Sequence, residues 1–221
     1  MSATEEIDIT FLISDLAGYT ALTEAHGDLQ AVEVIQRYAE LADSILTRSA
    51  RCVEHVGDEL LITADSPADA VRAAVRLREV VEQEPRFPTV RCGIHRGLAV
   101  VQGGKHFGAA LNLTARVASY ARGGQILCTE RVADAAADLP DVTYRPFGPV
   151  RFKNVPELIQ IFEVVSSRPG GAETSVDPVC HMRVTPDSAT TRLPLGSEIY
   201  YFCSFECAKQ FAAQPENYLR P

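Results

Sequence analysis

Stretches of strand length and stretches of helical periodicity alternate through residues 7–165, and their order most constrains what the chain can fold into. Residues 7–14 (Ile-Asp-Ile-Thr-Phe-Leu-Ile-Ser) are nearly continuous in apolar character, as a buried strand requires. Residues 28–49 place Val32, Ile35, Ala39, Ala42, Ile45 and Leu46 at helical spacing. Cys52 to His55 and Glu59 to Thr63 flank a Gly57-Asp58 turn and read as a hairpin. Pro67 suits the first turn of a second helix, whose inward face would be Val71, Ala74, Val75, the stem of Arg78 and Val81. A long strand is expected from Val90 to Val101, then a helix from about Ala109 to Tyr120, stopped by Gly123-Gly124. Short strands at 126–128, 142–146 and 158–165 complete the pattern.

The order β-α-β-β-α-β predicts an α+β fold, a ferredoxin-like sheet with its helices on one face. This domain is expected to span residues 1–165. Ser166 to Val176 has no apolar periodicity and is rich in turn formers, which predicts a linker. Residues 177–221 would then form a small α/β module, too short to hold a core without a staple. A length of 221 residues with 46% hydrophobic content suits one full domain and a small extra.

A formal net charge of -8 argues against a nucleic-acid binder, which carries a basic face. Any phosphate ligand must be held by local donors or by metal. No apolar run approaches the roughly 18 residues needed to span a membrane, and the acidic start Met1 to Glu6 is not a signal peptide, so a cytoplasmic protein without a membrane partner is expected.

Two aspartates carry the first chemical signal. Asp15 follows the apolar run 9–13 and Asp58 sits in the turn between two short apolar strands. Carboxylates at the ends of buried strands are costly unless a cation meets them. Each lies near a glycine, Gly18 and Gly57, and together they read as one divalent-metal site. The six cysteines fall into two groups. Cys52, Cys92 and Cys128 lie singly in apolar runs, as small buried thiols do. Cys180, Cys203 and Cys207 crowd the tail, the last two with C-x3-C spacing, which in a reducing compartment reads as metal thiolates.

Four ordered blocks carry a resemblance: Phe11-Leu12-Ile13-Ser14-Asp15-Leu16-Ala17-Gly18-Tyr19-Thr20, then Val56-Gly57-Asp58, then Gly93-Ile94-His95-Arg96-Gly97, then Phe107-Gly108-Ala109-Ala110-Leu111-Asn112-Leu113-Thr114-Ala115-Arg116. Over residues 7–165 the chain resembles the class III nucleotidyl cyclase catalytic domain. The tail, with Asp177-Pro178-Val179-Cys180-His181-Met182, Tyr200-Tyr201-Phe202-Cys203-Ser204-Phe205-Glu206-Cys207 and Pro215-Glu216-Asn217-Tyr218-Leu219, resembles the YHS domain, a small metal-binding module.

The cyclase resemblance implies attack of a ribose 3′-hydroxyl on the α-phosphate of its own nucleoside triphosphate, releasing pyrophosphate. Asp15 and Asp58 would hold two Mg or Mn ions. The backbone around Gly18, Tyr19 and Thr20, where the first helix begins, would point N–H groups at the β and γ phosphates. Asn112 and Arg116 are spaced i, i+4 and share a helix face. The resemblance makes the asparagine orient the ribose and the arginine stabilise charge on the α-phosphate, with Lys153 a further phosphate contact. It also implies that the aspartates of one subunit meet the asparagine and arginine of another, so the active form would be a homodimer.

The base-reading positions depart from the family. Where adenylyl cyclases carry a lysine and an acidic or hydroxyl residue, this chain holds Glu54 and Lys105, the reverse charges. Glutamate can accept from guanine N1–H and its 2-amine, and lysine can donate to O6. The pair leans to GTP with ATP open, and His106 is a neighbouring candidate for the role of Lys105. The alternative is an ion pair between Glu54 and Lys105 across an emptied pocket. Two function classes follow: a metal-dependent purine nucleotide cyclase, or a cyclase-fold signalling module without turnover. At the tail, three thiolates suit Zn or Cu and not Mg. No fourth ligand is evident; His181 is the adjacent nitrogen donor.

Overall fold

The computed structural model describes residues 4–167 and 174–219. The chain opens with strand β1 (Glu5–Leu16), whose Phe11, Leu12 and Ile13 are all almost wholly buried. Side chains alternate faces along a strand, so burial of three in a row requires cover on both sides of the sheet. Helix α1 (Tyr19–His26) and helix α2 (Asp28–Ile45) follow, then the hairpin β2 (Ala50–Val56) and β3 (Glu59–Ala64). Helix α3 (Pro67–Gln83) starts at Ser66, whose Oγ accepts from the Asp69 N–H, with Pro67 in the first turn. The long strand β4 (Val90–Gln102) turns through Gly103-Gly104 into β5 (Lys105–Phe107), and helix α4 (Ala109–Tyr120) follows. Strand β6 (Ile126–Thr129), helix α5 (Glu130–Ala135) and the pair β7 (Val142–Arg151) and β8 (Leu158–Ser166) close the first domain.

The strand order β2-β3-β1-β4-β6-β8-β7, with β5 on β4, contains the expected ferredoxin-like unit β1-α2-β2-β3-α3-β4 at its centre. Helices α2 and α3 share one apolar cluster with Leu12, Leu16, Leu60, Ile62, Cys92 and Ile94, so they cover one face, as expected. Helix α4 lies on the opposite face, over Phe11, Ile13, Leu61 and Ala99. That approach depends on Gly93, where a Cβ would fall 2.2 Å from the Ala118 backbone nitrogen. Of the isolated thiols, Cys92 and Cys128 are buried, whereas Cys52 is half-exposed, beside a register shift in β2, with its Sγ 3.4 Å from the Glu54 carbonyl.

Of the expected linker, residues 168–173 lie outside the described residues. Its ends are strand: Ser166 closes β8, and β9 (Ser175–Val176) pairs with β10 (Arg183–Val184). The hairpin β11 (Thr191–Leu195) and β12 (Glu198–Phe202) leads to helix α6 (Phe205–Ala213) and a short 3-10 turn at Pro215–Asn217. The tail solves its small-core problem by docking. Val179, Met182, Phe202 and Phe211 join the same apolar cluster as Leu22, Val81 and Phe87 of the first domain. Arg183 anchors the contact, donating to the carbonyls of Val81 (2.6 Å), Glu82 (2.7 Å) and Glu84 (3.0 Å), and so satisfies the free end of α3. No helix among the described residues is long and apolar enough to cross a membrane.

Candidate active site and thiol cluster

Strand pairing brings the two aspartates together. Asp15 stands opposite Glu59 near the end of β1, one residue beyond the turn that holds Asp58. Burial, together with the neighbouring Asp15 carboxylate, pushes Asp58 up to about 7. Burial and Asp15 likewise raise Glu59. The counter-charge is Arg91, opposite Asp15 on β4, which donates through Nε at 2.7 Å and also through Nη2 to the same Asp15 oxygen. Two neighbouring carboxylates with a single guanidinium, bonded to Asp15, leave an excess of negative charge when both are ionised, and this donor set fits hard divalent cations. Beneath Asp15, the fully buried Tyr38 hydroxyl donates to Ser14 Oγ at 2.7 Å, tying α2 to the end of β1.

Gly18 occupies the left-handed region (φ +82) at the start of α1, where the chain turns from β1 into the helix. The Leu22 N–H bonds back to the Gly18 carbonyl, and Tyr19 and Thr20 begin the first turn. On the other face of the sheet, Asn112 and Arg116 line an open groove of about 540 Å³ with Ala115, Ser119, Tyr120 and Phe152. Their side chains form no hydrogen bond or ion pair among the described residues. Neither Asp15 nor Asp58 lines this groove. Lys153 follows Phe152 in an exposed turn at the groove's edge.

Glu54 lines a smaller cavity of about 140 Å³ with Ile13, Glu59, Leu61, Leu111 and Asn112. The structure therefore brings Glu54 to Asn112. Lys105 does not line that cavity; it opens β5, exposed, after the Gly103-Gly104 turn. No ion pair joins Glu54 and Lys105 among the described residues. The His106 ring packs edge-on against Phe11 with centroids 5.6 Å apart. Half-buried His95 pairs with Thr129 Oγ1 through Nδ1 at 2.9 Å, and loss of solvent lowers it to about 4, with nearby Arg131 adding to the shift. A separate cavity of about 420 Å³ near Arg72, Arg76 and Pro140 contains none of these residues.

The tail cysteines do converge. Asp177, fully buried, accepts from the Val179 N–H (2.9 Å) and the Cys203 N–H (2.8 Å), drawing the two cysteine-bearing segments together. Ser204 caps α6 by accepting from the Cys207 N–H, which sets Cys203 just before the helix and Cys207 in its first turn. Cys203 Sγ lies 3.4 Å from Cys180 Sγ and 3.7 Å from Cys207 Sγ. The nitrogen donor gathered beside these thiols is not His181. His26 Nε2, from the end of α1, lies 3.4 Å from Cys203 Sγ and 3.7 Å from Cys207 Sγ, and all four donor atoms fall within 4.8 Å of one another. His181 instead lays its ring over Gly18, so closely that a Cβ there would fall 2.4 Å from it.

A family model for the adenylate and guanylate cyclase catalytic domain matches residues 1–159. The chain belongs to this cyclase family. A second family model, the YHS domain, matches residues 175–221. A pH-sensitive adenylate cyclase of Mycobacterium tuberculosis is 28% identical over 159 residues, covering 71% of this chain and 40% of its own. The chain thus spans about 40% of the length of that curated relative. Among solved structures, the guanylyl cyclase Cya2 superposes with a TM-score of 0.62 at 28% identity, over 76% of this chain and 97% of its own. The adenylyl cyclase CyaB of P. aeruginosa gives a TM-score of 0.66 at 20% identity, over 77% and 100%. These likenesses cover the cyclase domain and its mixed α+β fold.

Proposed function

We propose that the protein is a homodimeric purine nucleotide cyclase, converting a nucleoside triphosphate into its 3′,5′-cyclic monophosphate and pyrophosphate. A bond forms between the ribose 3′-oxygen and the α-phosphorus, the α-phosphorus bond to the bridging β-phosphate oxygen breaks, and the 3′-hydroxyl proton passes to solvent. The observation that carries this reading is the half-buried Asp15–Asp58 pair, with excess negative charge at the mouth of β1. Mg or Mn held by the two carboxylates would acidify the 3′-hydroxyl and offset charge on the departing pyrophosphate. Arg91 fixes the Asp15 carboxylate, and the N–H groups at 18–20, where α1 begins, would receive the β and γ phosphates.

Asn112 and Arg116 lie in a groove without the aspartates, which supports a site completed across a dimer, with Asn112 and Arg116 of the partner subunit meeting Asp15 and Asp58. There Asn112 orients the ribose, Arg116 holds the α-phosphate and Lys153 reaches a terminal phosphate. Glu54 beside Asn112 supports a base pocket that leans to GTP, with ATP as the second substrate. Lys105 outside that cavity favours the second reading, a cyclase-fold dimer that responds to nucleotide or metal without turnover.

Mixing inactive Asp58→Ala with inactive Arg116→Ala tests the composite site. Random exchange gives half the dimers one intact site, so the mixture should regain about a quarter of wild-type turnover. A mixture as dead as its components would rule the arrangement out.

A further inference from the structure

We propose that Cys180, Cys203, Cys207 and His26 bind one Zn²⁺ ion, and that this ion clasps the tail module to helix α1 of the cyclase domain. A tetrahedral zinc with Zn–S about 2.3 Å and Zn–N about 2.0 Å sets S···S separations of about 3.8 Å and S···N of about 3.5 Å. The observed separations are 3.4 and 3.7 Å for Cys203 to the other two sulfurs, and 3.4 and 3.7 Å for His26 Nε2 to Cys203 and Cys207. Three sulfurs and one imidazole, with all three sulfurs buried, form a closed Cys3His set of structural type.

His26 changes what such a site does. Three of the four ligands belong to the tail and one to the cyclase domain, so the ion crosses the junction between them. His26 is the last residue of α1, and Gly18 immediately precedes its first. The tail therefore grips this eight-residue helix at both ends, by metal at His26 and by the His181 ring on Gly18, next to the Cys180 ligand. Metal occupancy is thereby linked to the placement of residues 16–20. The metal site stands independently of the cyclase reading; only its consequence for phosphate binding rests on that reading.

The test uses the full chain and reads metal directly. Wild type should hold one equivalent of zinc, and cobalt substitution should give thiolate charge-transfer bands with the visible bands of a tetrahedral ion. His26→Ala should weaken zinc by on the order of 100-fold or more in chelator competition, exceeding the loss typical of an outer-shell change. His26→Cys should restore tight binding, which separates ligation from a folding defect. Chelation of wild type should speed amide exchange at 16–26 whether or not turnover is detected. The proposal fails if His26→Ala keeps wild-type affinity and cobalt spectrum. It fails equally if the chain holds copper on the three cysteines alone, indifferent to His26, or if chelation leaves exchange at 16–26 unchanged.

Discussion

Replacing Arg183 with alanine should cost the whole chain about 3 kcal/mol, because this one side chain fastens the tail to the end of α3. Its guanidinium is buried and makes three hydrogen bonds to the carbonyls of Val81, Glu82 and Glu84. Hydrogen bonds from a charged donor are worth ~1.5–3 kcal/mol each, so three sum to about 5–9 kcal/mol. Burial opposes this, lowering the arginine pKa and leaving Nε without a partner, and that offsets several kcal/mol. Alanine also leaves three helix-end carbonyls without their donor and opens space in the shared core. A net loss of about 3 kcal/mol changes the folding constant by roughly 150-fold and lowers Tm by about 6–12 °C for a chain of this size. Urea unfolding of the full chain, followed by fluorescence and circular dichroism, measures the first quantity. Hydrogen exchange at 81–88 should rise in the variant. Arg183→Lys should fall between, since an ammonium is a point donor that cannot span all three carbonyls. A loss under about 1 kcal/mol with unchanged exchange at 81–88 would refute the anchor.

Gly93→Ala should destabilise by about 1–3 kcal/mol or more and reduce turnover, because its Cβ would meet the Ala118 backbone nitrogen at 2.2 Å and push α4, with Asn112 and Arg116, off the sheet. Wild-type stability with full activity would show that α4 yields freely. Glu54→Lys with Lys105→Asp should move nucleotide preference from GTP towards ATP in competition assays, since the wild-type pocket leaves polar groups unpaired on adenine. Unchanged selectivity in the double variant removes the base assignment. His95 is lowered by burial to about 4, so its stabilising contribution is complete above about 6.5 and is lost as pH falls towards 4. Unfolding of wild type between pH 7 and 4 should lose at most about 3 kcal/mol that His95→Gln does not lose; parallel curves would contradict this.

Periodicity carried the cyclase domain well because its buried strands and amphipathic helices repeat a single pattern. The central strand, the hairpin around Asp58, and α3 and α4 all follow from it. Short elements were not legible. Helix α1 buries only Leu22 fully, and α5 has six residues, too few for a period to stand out. The Asp15–Asp58 pair was visible because each lies at a strand end near a glycine. The position of His26 beside the thiols was not, since a lone histidine at the end of a short helix carries no local signal of thiols in another domain. Arg183 likewise looks like one more charged strand residue until α3 is seen to end beneath it. Lys105 shows the converse, a position aligned by motif whose side chain does not reach the cavity that Glu54 lines.

The central claim is turnover at the Asp15–Asp58 pair. Purified full-length protein should be incubated with Mn and either ATP or GTP, side by side with Asp58→Ala, and cyclic nucleotide and pyrophosphate quantified together. Cyclic product and pyrophosphate in equal amounts from at least one nucleotide, lost in Asp58→Ala, is the predicted result. No cyclic product from either nucleotide, or product undiminished in Asp58→Ala, would contradict it.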